Sequence, residues 1–135
     1  MKKINNTTFA LKPLLVQKDG ELIEKEGLYV STSGEIFRLK KNGNLVKRKG
    51  CAPNSKLKYW RFTYVYEGKN YYTYIHRVIM TSFTEEVIPE NLEVDHIDND
   101  KNNNSRANLQ LLTRKENVAK RNADKKKAKG INHAA

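Results

Sequence analysis

With 135 residues the chain is long enough for one domain or two very small ones, which excludes a large multidomain enzyme. A formal charge of +11 calls for an anionic partner, with nucleic acid ahead of a membrane surface because no apolar run approaches the roughly 20 residues of a spanning helix. A hydrophobic content of 38% with seven Tyr excludes a disordered chain, and a single cysteine, Cys51, excludes an internal disulfide and a multi-cysteine zinc site.

Taken in chain order, the apolar stretch near the N-terminus is interrupted by Lys12 and Pro13, so it makes a poor secretory signal and the expectation is an intracellular protein. Period-two alternation then predicts short strands. Residues 29–32 and 35–40 read as a hairpin about Ser33-Gly34, and Asn42-Gly43-Asn44 turns the chain into a third strand, 45–49. After a loop over 50–55, residues 59–66 and 71–75 form a second hairpin around Glu67-Gly68-Lys69-Asn70, with alternating aromatics suited to a half-buried face. Val78, Ile79 and Phe83 are spaced for one face of a short helix over 76–83, and Pro89 marks a loop. A strand over 93–98, a polar loop over 99–107 and a partner strand over 108–112 follow. In Thr113-Arg114-Lys115-Glu116 the hydroxyl and the carboxylate are placed to satisfy each other's free backbone N–H groups, the pattern of a capping box. The helix it opens holds Asn117 in its first turn and is expected to run to about Asp124. The fold class is therefore α+β: a basic, strand-rich region over 1–75, a strand-strand-helix unit over 76–124 and a basic flexible tail over 125–135.

Charge is unevenly distributed. Arg38, Lys40, Lys41, Lys47, Arg48, Lys49, Lys56, Lys58 and Arg61 fall in a stretch with no acid, while Glu85, Glu86, Glu90, Glu93, Asp95, Asp98 and Asp100 crowd a segment with no Lys or Arg. Carboxylates on a phosphate-binding surface repel its ligand unless a cation sits among them. A strand carrying Asp95 beside a first helical turn carrying Asn117 offers two oxygen ligands to one such cation. Mg²⁺ suits that donor set, since it takes oxygen ligands and keeps waters or phosphate oxygens for the rest. On an ideal strand His96 points to the face opposite Asp95, which separates a metal ligand from a base. A neutral imidazole is a workable base near neutral pH.

The segment from 76 to about 122 resembles the HNH (His-Asn-His) nuclease family with its ββα-metal unit, and within it the phage and intron-encoded homing branch where Asp and Asn replace His as ligands. The resemblance rests on His76-Arg77-Val78, Val94-Asp95-His96-Ile97-Asp98, the phrase Asp98-Asn99-Asp100-Lys101-Asn102-Asn103, Asn108-Leu109 and Glu116-Asn117. It implies Asp95 as the first metal ligand, His96 as the general base, Asn117 as the last ligand, and Asn108 as the central Asn that holds the loop and orients the base through hydrogen bonding. It also implies one Mg²⁺ or Mn²⁺ per site, and 5′-phosphate and 3′-hydroxyl products. Asp98 and Asp100 belong to a loop that is chiefly structural in the family. His76 either contacts phosphate or starts the helix as a structural residue, and Arg77 is a candidate phosphate contact. More loosely, Gly27-Leu28-Tyr29-Val30-Ser31 and Gly34-Glu35-Ile36 resemble small modules associated with such nucleases.

The reading that follows is a metal-dependent endonuclease acting on double-stranded DNA, nicking if monomeric. A monomer is favoured and a dimer is possible; no membrane or small-molecule cofactor is expected. The location is cytoplasmic, in a bacterial host or phage-infected cell. Arg38, Lys40, Lys47, Arg48, Lys58, Arg61, His76, Arg77, Arg114, Lys120 and Arg121 are the expected DNA contacts. The alternatives are a non-catalytic DNA-binding protein on a degenerate scaffold and an RNA-binding or RNA-cleaving protein, which basic strands with aromatics also suit. The chain stops soon after the catalytic helix, which argues against long-site specificity.

Overall fold

The computed structural model describes residues 2–4, 7–9 and 11–133, with side-chain surroundings for 11–127. Two short strands, β1 (Lys2–Ile4) and β2 (Thr7–Phe9), pair with each other. A four-stranded antiparallel meander follows: β3 (Leu11–Lys18), β4 (Glu21–Ser31), β5 (Ile36–Leu39) and β6 (Leu45–Arg48). Next come the hairpin β7 (Arg61–Tyr66) and β8 (Lys69–Tyr74), then helix α1 (Ile75–Thr84). The chain continues through β9 (Leu92–His96), a turn of 3₁₀ helix at Arg106–Asn108, β10 (Leu109–Thr113) and helix α2 (Arg114–His133). This is the α+β arrangement expected.

Several boundaries differ from the sequence expectation, among them the end of β9 at His96 rather than at Asp98 and the start of β7 at Arg61 rather than at Tyr59. The β3–β4 hairpin lies upstream of the first strand read from the sequence, and β8 starts at Lys69 rather than at Tyr71. Both hairpins close through two-residue turns, Asp19-Gly20 and Glu67-Gly68, whose residues all hold positive φ. That conformation matches the twist of antiparallel strands, so the strands need no longer loop. The last helix passes Asp124 and ends at His133, since Lys and Ala in this stretch are good helix formers.

The two halves share one core. Leu14, Val16, Val30 and Ile36 of the meander and Phe62 and Tyr64 of β7 pack with Ile75, Val78, Ile79 and Met80 of α1, Ile88, Val94 of β9 and Leu109 of β10. Helix α1 also covers the edge of the meander. The Leu15 N–H donates to Ser82 Oγ and Thr81 Oγ1 donates to the Leu15 carbonyl, each at 2.9 Å, which satisfies backbone groups that an edge strand leaves open. Gln17 extends the seam, its side chain bonding both the carbonyl and the N–H of Ile88. The strand-strand-helix unit is thereby fixed against the N-terminal sheet. Among the described residues no helix is long and apolar enough to cross a membrane.

Candidate active site

β9 sets the site through its alternation. Glu93 and Asp95 face α2, while Val94 and His96 face inward and are buried, as the pleat requires. Asp95 pairs across the ladder with Gln110, whose Nε2 donates to Asp95 Oδ2 at 2.9 Å. The capping box forms as expected: the Thr113 N–H donates to Glu116 Oε1 at 2.9 Å and the Glu116 N–H to Thr113 Oγ1 at 3.1 Å. These bonds hold the Glu116 carboxyl below its usual range. Thr113→Ala is expected to cost about 1 kcal/mol in chemical denaturation; an unchanged midpoint would show that packing alone holds this end of α2.

From that start, α2 presents Arg114, Asn117, Lys120 and Arg121 toward β9, positions three, four and seven apart on one helical face. Asn117 Nδ2 donates to Glu93 Oε2 at 2.8 Å, which commits the amide nitrogen and leaves its carbonyl oxygen for another partner. Asp95, His96 and Asn117 line one cavity of about 410 Å³ with Tyr59, Glu93, Asn99, Lys101, Arg114 and Arg121. An adjoining cavity of about 500 Å³ shares Tyr59, Glu93 and Asn117 and reaches Tyr72, Tyr74 and Arg77. Asn117 thus stands between Arg77 on one side and Arg114 and Arg121 on the other.

The donor chemistry fits a hard cation. Asp95 supplies a carboxylate and Asn117 an amide oxygen, and among the described residues no three His, Cys, Asp or Glu side chains converge into a cage of their own. Asp95 already attracts a cation: Lys120 Nζ lies 2.8 Å from Asp95 Oδ2, from the His96 carbonyl and from Asn99 Oδ1. Lys120, expected on DNA, is drawn inward because it sits one helical turn after Asn117 and meets an acid there.

Asp98 and Asp100 lie outside the cavity lining. Asp98 accepts from Asn103 Nδ2, the Asp100 N–H and Asn108 Nδ2, and these bonds, in that order, hold its carboxyl below the usual range. Asp100 caps the Asn102 N–H. Both carboxylates knot the loop. Asn108 is the centre of that knot: its Nδ2 donates to Asp98 Oδ1 and the Asn103 carbonyl, and its Oδ1 accepts from the Asp98 N–H. These bonds lie within the loop, and the side-chain hydrogen bond to His96 comes from a different asparagine. Asn104 Oδ1 lies 2.8 Å from His96 Nε2. An amide oxygen only accepts, so in this contact Nε2 is the donor, which leaves Nδ1 as the acceptor of the neutral ring. Among the described residues Nδ1 has no hydrogen-bond partner.

His96 is enclosed by rings. Tyr59 stacks nearly parallel to it with centroids 5.8 Å apart, and His76 lies 4.9 Å away. His76 is buried, and burial, followed by the nearby His96 and Arg77, lowers its pKa from 6.5 to about 3. A neutral ring is no phosphate cation, although His76 does line the second cavity beside Arg77. Arg77 is half-buried beside the second cavity.

Residues 73–119 match the family model described as HNH endonuclease. Over that segment, about a third of its length, the chain is similar to the HNH endonuclease family. Among solved structures the chain is similar to the HNH homing endonuclease I-HmuI, a protein of DNA binding and cleavage, at 29% identity and a TM-score of 0.60. That match covers 87% of this chain and 64% of the I-HmuI chain, so the chain spans less than two thirds of that relative's length. A search of curated proteins finds no match.

Among the described residues, the remaining expected DNA contacts divide into exposed and engaged side chains. Arg38, Lys40 and Lys58 are exposed. Lys47 pairs with Glu35 at 3.5 Å. Arg48 donates to the Thr63 carbonyl and lies 4.4 Å from the Phe62 ring centroid, so it clamps β6 to β7 rather than reaching outward. Arg61 donates to the Ala52 carbonyl and lies over Tyr72. Tyr59, Glu93, Asn104 and Gln110 were not singled out from the sequence. Glu93 carried a signal, because it lies two residues before Asp95 and therefore on the same strand face.

Proposed function

We propose that this chain is a metal-dependent DNA endonuclease that hydrolyses phosphodiester bonds, one strand at a time, with His96 as general base. The observation that carries this reading is the convergence of Asp95, Asn117 and the basic edge of His96 on one cavity bordered by Lys101, Arg114 and Arg121.

In this reading Arg77, Arg114, Arg121 and Lys101 hold the phosphates on either side of the scissile bond, and the exposed Arg38, Lys40 and Lys58 extend the contact over the N-terminal sheet. His96 Nδ1 takes a proton from the attacking water, while the Nε2–H stays on Asn104. Tyr59 and His76 limit the tilt of the His96 ring. Asp95 and the carbonyl oxygen of Asn117 would hold one divalent ion, Mg²⁺ or Mn²⁺, with Gln110 orienting the carboxylate and Glu93 the amide. When bound, such an ion supplies charge stabilisation for the leaving oxygen. Lys120 gives up its share of Asp95 or stays beside it as a second positive charge.

One site per chain implies nicks rather than double-strand breaks from a monomer. Incubation of the purified chain with supercoiled plasmid is expected to give open circles in Mg²⁺ or Mn²⁺ and none with chelator. Relaxation that persists in chelator would overturn the metal dependence, and linear product appearing without an open-circle precursor would overturn nicking. DNA affinity should survive Asp95→Ala, because it comes from the Lys and Arg surface and falls with salt.

A further inference from the structure

The bond from Asn104 to His96 depends on the N-terminal half of the chain. Asn104 is buried, and it lies in the 97–108 loop, where the backbone has no ladder to fix its position. What fixes it is the β4–β5 turn. The Arg106 N–H donates to the Thr32 carbonyl at 2.8 Å, and Ser105 Oγ donates to the Ser33 carbonyl at 3.4 Å. Gly34 presses directly on Asn104. Its φ is +85°, and a Cβ added there would meet the Asn104 carbonyl oxygen at 2.4 Å. Trp60 adds a second tether from the same half, donating its Nε1–H to Asn102 Oδ1 at 2.7 Å.

We propose that Asn104 is the positioning residue that fixes the His96 tautomer, and that the β4–β5 turn, through Gly34, holds Asn104 in place for it. The N-terminal sheet then aligns the base as well as offering cations to DNA. An asparagine suits the task because its carbonyl oxygen can accept only from Nε2–H, which leaves Nδ1 unprotonated and aimed elsewhere. The functional consequence rests on His96 being the base, as proposed above. The tautomer itself does not.

The glycines of this chain provide a matched control. Gly43 has φ +88°, nearly that of Gly34, yet a Cβ there meets nothing within 4 Å. Gly34→Ala and Gly43→Ala therefore impose similar backbone strain, and only the first disturbs Asn104.

The test uses full-length protein labelled with ¹⁵N-histidine, metal-free and above the titration range of imidazole, with His96 assigned by its disappearance in His96→Gln. In the wild type the His96 nitrogens should show the pattern of an Nε2–H tautomer. Asn104→Ala and Gly34→Ala should shift that pattern toward a mixture, while Gly43→Ala and Asn104→Asp, which keeps an acceptor oxygen, should retain it. Single-turnover cleavage should fall about tenfold or more in Asn104→Ala and Gly34→Ala, with affinity for uncleaved DNA unchanged. The proposal is overturned if Asn104→Ala keeps the wild-type pattern, or if Gly34→Ala matches Gly43→Ala in both spectrum and rate. Should Gly34→Ala fail to fold, the Asn104→Ala and Asn104→Asp pair decides the tautomer. Should His96→Ala cleave normally, the base assignment fails while the spectra still stand or fall by themselves.

Discussion

His96→Ala is expected to slow single-turnover plasmid nicking by about 10²- to 10⁴-fold, the range that a positioned general base contributes. The size of the effect follows from the lack of a substitute in the cavity. Asp95 Oδ2 is already bonded to Gln110 and Lys120, and Glu93 holds the Asn117 amide. Asn99, Asn117 and the cationic side chains cannot accept a proton from water near neutral pH. His96 is the one imidazole in this cavity lining, and its Nδ1 has no hydrogen-bond partner among the described residues. Its loss should leave the Asp95 and Asn117 oxygens in place, so Mn²⁺ binding followed by calorimetry should persist in His96→Ala and disappear in Asp95→Ala. A His96→Ala chain that nicks within a few fold of wild type would remove His96 from the mechanism. Loss of Mn²⁺ binding in the same variant would instead make His96 a ligand.

The parts of this site that were legible in the sequence are those set by local rules. Alternation along β9 separates Asp95 from His96, and the Thr113-to-Glu116 pattern fixes the start of α2 and hence the height of Asn117. Both depend only on spacing within one element. Asn104 was not legible, because it is one of three consecutive asparagines, and which of them turns inward is decided by the Thr32–Gly34 turn some 70 residues earlier in the chain. Lys120 was read as one more cation of a basic helix. Its spacing of three from Asn117 was the available clue that it faces Asp95. In the fold, the β3–β4 hairpin was missed although Asp19-Gly20 is a strong turn signal, since Pro13 and the charges of β4 blur the alternation on either side. Arg48 shows the same limit from another direction: a basic residue in a basic strand was assigned to DNA, and only the approach of β7 reveals that its guanidinium is spent on Thr63 and Phe62.

The second large effect is expected in stability against pH, and it comes from His76. In the folded chain this imidazole is buried among Tyr59, Tyr74 and His96, and its pKa falls from 6.5 to about 3. The unfolded chain binds a proton at that ring near 6.5 and the folded chain does not, so acid favours unfolding. The contribution of His76 is fully present above about pH 6.5 and is lost progressively toward pH 3. One proton taken up on unfolding gives a slope of about 1.4 kcal/mol per pH unit. Between pH 6.5 and 4.5 the loss should reach roughly 2–3 kcal/mol, before the carboxyls of Asp98 and Glu116, both held below their usual range, begin to take up protons as well. His76→Phe keeps a ring in the stack and removes the titrating group, so its denaturation midpoint should change little over this window while that of the wild type falls. A wild type as flat as His76→Phe would mean that His76 accepts its proton in the folded state. A variant as steep as the wild type would place the acid sensitivity on another group.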